Sequence, residues 1–343
     1  MATQKARHVL LVGSVPLQNA EEVFRTAGAI LGERLRWIPD GETGERLGWI
    51  GWQLSVLTSH PQFETLPPDP NAYAAVPKVK LRSPGAAREL TFGRLGYADA
   101  AHASYADFSR LKRAGILPAQ CRFQVSLPTP WAPINVFVVP EAQTIVEPLY
   151  EARLLTELDE IATAIPHNEL AIQWDVAVEL ANWEGVFPVP FSDVKRGIIE
   201  RLVRIGNRVP PGVDLGYHLC YGDYQHQHFM QPKDAANMVE IANALSAAVA
   251  RPIHWIHMPV PRDRTDDAYC APLRDLRLRP ETEFYLGLVH ATDGLEGARQ
   301  RVAAARKVIP DFGVATECGF ARARKPDLVR ELLALHAAVA PEP

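Results

Sequence analysis

Cysteine is scarce in this sequence: four residues in 343, at positions 121, 220, 270 and 318, too few and too dispersed for a disulfide framework. In a reducing compartment such cysteines serve as core residues, metal ligands or nucleophiles. A dominant charge is missing as well. Lys and Arg number 36 against 40 Asp and Glu and are scattered along the chain, which argues against nucleic-acid binding and for a small-molecule partner. Long hydrophobic runs are absent too. Residues 8–15, the longest apolar run near the N-terminus, are interrupted by Gly13 and Ser14 and are too short for a membrane span or a secretory leader. The expected location is therefore cytoplasmic, with no membrane partner. Apolar residues are plentiful instead, at 47% of the chain, enough for a large core.

Those apolar residues fall into eight short runs, many of them β-branched, at 8–12, 34–38, 122–127, 170–175, 214–219, 253–257, 284–289 and 313–317. Most are separated by stretches with apolar residues three and four apart, including 142–165, 192–205, 232–249, 294–308 and 325–338. Alternating strands and helices predict parallel strands with crossover helices, and eight of them predict an α/β fold, a (β/α)8 TIM barrel. The expected organisation is one barrel domain over 1–343. About eighty residues separate the second run from the third, far more than a usual connection of about 2–6 residues. Residues 40–120 are therefore expected to form an elaborated excursion over the barrel: a Gly- and charge-rich loop at 40–47, a Pro-rich stretch at 65–79 and a helix at 97–114. Trp49 and Trp52, if exposed there, would mark an interface for a homo-oligomer.

In such a barrel the chemistry sits at the C-terminal strand ends. The predicted ends carry Ser14, Ser126, Gln173, Asp175, His218, Cys220, His257, His290, Glu317 and Cys318. His218 and Cys220 end the fifth run and Cys318 follows the eighth, so the three converge across the barrel mouth if the fold is right. One imidazole and two thiolates suit zinc, and three protein ligands leave a position open for chemistry. The spacing alone leaves a second reading open, with small buried cysteines and a hydrogen-bonded histidine.

Four segments carry a resemblance. His218-Leu219-Cys220-Tyr221 resembles the His-Met-Cys-Tyr segment of cobalamin-independent methionine synthase. The stretch from Glu317-Cys318-Gly319-Phe320 to Arg324 resembles that family's Asp-Cys-Gly-Leu-Lys-Thr-Arg. Ile172-Gln173-Trp174-Asp175 and Gly13-Ser14-Val15-Pro16 resemble its Ile-Gln-Ile-Asp-Glu-Pro and Gly-Ser-Phe-Pro, in the same order along the chain. The resemblance implies a divergent single-barrel member of the superfamily shared with uroporphyrinogen decarboxylase. It further implies zinc on His218, Cys220 and Cys318, activating an acceptor thiol for methyl transfer.

Two departures qualify it. The family's further zinc ligand is a glutamate on its sixth strand, whereas 253–262 here contains no carboxylate, leaving His257 as a possible nitrogen ligand or catalytic group. Val176 and Ala177 replace Glu-Pro after Asp175, removing one of two carboxylates suited to an amino-acid acceptor such as homocysteine.

Asp175, His257 and His290 are thus the candidate catalytic groups, and Ser14, Gln173, Ser126 and Glu317 the candidate substrate contacts. Asp175 could equally cap the following helix. The histidines of 224–228 are expected to face solvent. Three functions remain open: alkyl transfer to or from a zinc-activated thiol with a folate, corrinoid or other donor; a zinc lyase or hydrolase; and a metal-free decarboxylase-like barrel.

Overall fold

A computed structural model of the chain describes residues 9–71, 73–225, 227–321 and 325–340. Its strands are β1 (Trp37–Pro39), β2 (Phe63–Leu66), β3 (Lys78–Leu81), β4 (Arg122–Pro128), β5 (Leu170–Val176), β6 (Asp214–Leu219), β7 (Trp255–Pro259), β8 (Glu283–Val289) and β9 (Gly313–Thr316). Seven of them form one parallel sheet in the order β1-β4-β5-β6-β7-β8-β9, and β2 and β3 form a separate antiparallel hairpin. All seven residues of β5 and all six of β6 are buried, which is why these strands read as near-continuous apolar runs: a parallel sheet is covered on both faces.

The sheet is strongly curled. Trp37 on β1 and Trp255 on β7, with three strands between them in the sheet order, bring their ring centroids to 4.3 Å across the concave side. Gly216 on β6 makes room for this, because a Cβ there would fall inside the Trp255 indole. Trp37 Nε1 donates to Asp214 Oδ2 at 2.7 Å, so the buried indole keeps its hydrogen bond. Leu10, Val12, Ala171, Tyr285 and Ala315 complete this inner cluster.

The first of the eight expected runs forms no extended strand; its residue 8 lies outside the described residues. Val9 instead makes single parallel bridges to Leu35 on one side and Val314 on the other, so one segment touches both sides of the curl. Val9 N donates to Arg34 O and Leu10 N to Val314 O, both at 3.0 Å.

Helices cover the outer face. Ala20–Leu31 is started by Asn19, whose side chain accepts from Glu22 N at 2.9 Å. Pro140–Ala164, Val194–Arg208, Ala236–Ala248, Gly294–Arg306 and Leu328–Val339 follow, each near its expected position. Between β1 and β4 the chain builds the helix Gln53–Thr58, the β2–β3 hairpin and the helix Tyr97–Arg113. No described helix is long and apolar enough to cross a membrane.

Candidate functional site

His218 stands near the end of β6, Cys220 just beyond it and Cys318 two residues after β9. Their ligating atoms all lie within 4.8 Å of one another, and all three residues are buried. Local contacts fix this convergence. Cys220 N donates to Val176 O at 2.9 Å, and Thr316 Oγ1 donates to Cys318 O at 2.6 Å, turning the chain after β9. Phe320 N donates to Ser14 O at 2.6 Å, clasping that turn to the segment after Val9. Gly319 is required at the clasp, since a Cβ there would collide with Ser14 Oγ. Gly287 is required one strand away, since its Cβ would lie 2.7 Å from both His257 Nε2 and the Glu317 Cα.

The electrostatics depend on what sits between the thiols. The hydrogen bond with Cys318 pushes the Cys220 thiol well above its ordinary value, and burial and the adjacent sulfur charge push it the same way. Two thiolates this close are costly without a cation and favourable around a dication. The donor set fits zinc: ligand atoms around a tetrahedral zinc stand about 3.5–3.8 Å apart, within an ångström or so of the spacing here.

The imidazole is set by its neighbour. His257 is fully buried and registers opposite His218 on the adjacent strand. Its Nε2 lies 3.1 Å from Thr316 O, a group that only accepts, and its Nδ1 lies 2.7 Å from His218 Nδ1. Burial pushes the His257 pKa down to about 3, so the ring is neutral and carries its single proton on Nε2. His218 must then donate from Nδ1, which assigns its lone pair to Nε2. With both nitrogens hydrogen-bonded inside the protein, His257 is placed behind the ligand set and not in it, unlike the nitrogen-ligand expectation.

The other expected residues divide by position. Ser14 and Asp175 line the cavity described below, and Asp175 registers opposite His218. Gln173 lies beneath them, fully buried: its Nε2 donates to Val12 O at 2.5 Å and to Asp175 Oδ1 at 2.8 Å, and its Oε1 accepts from Trp255 Nε1. Ser126 donates to Val12 O at 3.1 Å. Both are held by protein groups, and neither lines the cavity.

His290 and Glu317 also lie outside the lining. His290 Nε2 bonds Val260 O at 2.9 Å, and its Nδ1 is 3.5 Å from Glu317. Burial alone would raise the Glu317 carboxyl, but His228 and His290 outweigh it and hold it well below the usual range. His228 is therefore a correction to the solvent-facing expectation: its side chain is 7% exposed and its Nε2 meets Glu317 Oε2 at 3.1 Å. His226 lies outside the described residues.

Above the ligand set opens a cavity of about 380 Å3. The excursion supplies much of its wall, including Glu42, Trp49, Leu66, Tyr73 and Val76. Trp49 packs on Ala177, Cys220 and Cys318, and Trp52 packs edge-on against Tyr97 at 4.8 Å. Both indoles are half-buried, so they do not form the exposed pair that an interface would need. Glu42, in the Gly- and charge-rich loop expected at 40–47, lines the cavity; its backbone holds φ 46° and its carboxylate occupies the space above Gly13. A non-glycine residue in the left-handed region carries a backbone cost that no local sequence pattern announces.

The fold class is therefore α/β, with a curled parallel sheet and polar groups gathered at its C-terminal strand ends. Two solved structures share this fold over nearly their whole length. One, from Listeria monocytogenes, is provisionally named a vitamin-B12-independent methionine synthase; it is 16% identical with a TM-score of 0.54, covering 98% of each chain. The other is a B12-independent methionine synthase from Shewanella sp. W3-18-1 in complex with selenomethionine, 15% identical with a TM-score of 0.63, covering 98% of this chain and 97% of that one. No protein-family model and no curated protein matches the chain.

Proposed function

We propose that this chain is a zinc-dependent enzyme that transfers a methyl or alkyl group to or from a thiol, on a closed eight-stranded barrel with residues 40–120 as its elaborated roof. The observation that carries the reading is the His218, Cys220 and Cys318 set, within 4.8 Å at the floor of a largely apolar cavity. Zinc held there would keep a substrate thiol deprotonated near neutral pH, where the free thiol would dominate. The fold shared with methionine synthases supports the same chemistry.

The remaining roles belong to the chain. His257 fixes the ring of His218 through the short Nδ1 contact. Asp175, oriented by Gln173, faces the cavity beside His218 and would bind a hydroxyl or cationic group of the substrate. Trp49 shields the sulfurs from water, which strengthens the electrostatics around them. Glu317 and His290 act from behind the wall as positioning groups.

Cobalt-substituted protein tests the reading. Sulfur-to-metal charge-transfer absorption should appear when a suitable small thiol is added. Homocysteine should give little response, because Val176 stands where a second carboxylate would hold its amino group. If carbonyl or hydroxyl compounds perturb the spectrum and no thiol does, the site is that of a zinc lyase or hydrolase.

A further inference from the structure

Carbon makes up most of the wall above the ligand set. Separate segments of the chain supply it: Leu66 and Val76 from the β2–β3 hairpin and its loop, Val136 and Phe137 from the helix Trp131–Phe137, Phe187 from the chain after the short helix Val178–Trp183, and Phe229 from the chain beyond β6. These segments are fastened to one another, so the wall exists before anything binds. Val79 bridges to Val138 and its carbonyl accepts from Val139 N at 3.0 Å, tying the hairpin to the end of that helix. Phe229 N donates to Tyr221 O at 2.9 Å, and its ring centroid lies 5.9 Å from that of Phe187.

Polar side chains set among these apolar ones are engaged by the protein. Asn135 donates through Nδ2 to Pro188 O at 2.9 Å and accepts at Oδ1 from Asn182 Nδ2 at 3.4 Å. The Gln143 amide nitrogen donates to Asn135 O at 3.2 Å and to Val138 O at 3.1 Å. Tyr73 donates to Gln227 O at 2.5 Å and accepts from Tyr224 N at 2.9 Å. Lys78 is the only Lys or Arg among the described lining residues, and it is partly exposed.

A substrate whose sulfur sits on His218, Cys220 and Cys318 must lay the rest of itself against this wall. An apolar group gains there, because each methylene leaves water for a preformed carbon surface, whereas a carboxylate or a zwitterionic group laid on the same surface loses its hydration. An anion would find Lys78, at a partly exposed position where an ion pair is worth little. The cavity, at about 380 Å3, falls in the range of roughly 300–1,000 Å3 typical of pockets that enclose most of a small molecule. We propose that the substrate of this site is an apolar alkyl or aryl thiol, its chain or ring held against Leu66, Val76, Val136, Phe187 and Phe229. The inference rests on the thiol-transfer reading and adds the class of the thiol.

The test titrates n-alkanethiols, from ethanethiol to pentanethiol, into cobalt-substituted protein and takes each affinity from the sulfur-to-metal charge-transfer band. The sulfur is chemically alike along the series, so the trend reads the chain alone. Affinity should rise about fourfold for each added methylene, about 60-fold over the series. The charged 4-mercaptobutanoate should bind more weakly than pentanethiol, which it matches in length. Leu66→Ala and Phe229→Ala, both at half-buried positions, should each flatten the rise while leaving cobalt content unchanged. A flat or falling trend, tighter binding of 4-mercaptobutanoate than of pentanethiol, or a rise that survives both substitutions would overturn the inference and leave thiol transfer standing. A band that no thiol perturbs would remove both.

Discussion

His257 Nδ1 lies 2.7 Å from His218 Nδ1, and because the Thr316 carbonyl claims the proton on His257 Nε2, the proton between the two rings belongs to His218. The sequence offered His257 as a ligand; the structure makes it the acceptor that orients one. His257→Ala should lower zinc affinity by about 10- to 100-fold, the usual cost of losing such an orienting partner. Competition with a chromophoric chelator measures this, and X-ray absorption should still find two sulfur ligands. Unchanged affinity would show that the short contact does not position the ring.

Gly319→Ala places a methyl group against Ser14 Oγ and the Ser14 backbone nitrogen. The clasp must open or Cys318 must move. Overpacking of this kind costs about 1–3 kcal/mol, which denaturant unfolding would register, and zinc affinity should fall with it because Cys318 is the adjacent residue. Lost stability at full affinity would mean that the turn yields without moving the sulfur.

Glu179, fully buried in the short helix Val178–Trp183, has its carboxyl raised by burial to about 7. The folded value exceeds the unfolded one, so ionisation works against folding: the penalty is absent below about pH 4.5 and grows until pH passes 7. At pH 8 it reaches on the order of 3 kcal/mol. Glu179→Gln should therefore stabilise the protein at pH 8 and have little effect at pH 4.5, read from urea midpoints. Equal effects at both values would mean that the carboxyl titrates normally.

Much of the sheet was legible in the sequence because parallel strands buried on both faces leave little room for polar residues, as β5 and β6 show. The convergence of His218, Cys220 and Cys318 followed from placing those strands in order. The roof was less legible. In β2 only Phe63 is buried, with Glu64 and Thr65 exposed, so the four-residue strand has no apolar periodicity to detect. Trp49 read as surface because its partners, Cys220 and Cys318, lie about 170 and 270 residues away in sequence. His228 was misread for the same reason: its partner Glu317 lies 89 residues away in sequence. Pairings set by tertiary convergence leave no local pattern.

Metal analysis of protein purified without chelator tests the central claim most directly. The chain should hold about one zinc, bound through two thiolates and an imidazole. Cys220→Ser/Cys318→Ser should lose that zinc yet keep its secondary structure by circular dichroism, because the core is built from the curled sheet and its helices and does not depend on the metal. A double variant that keeps full metal content would contradict the assignment of these three residues.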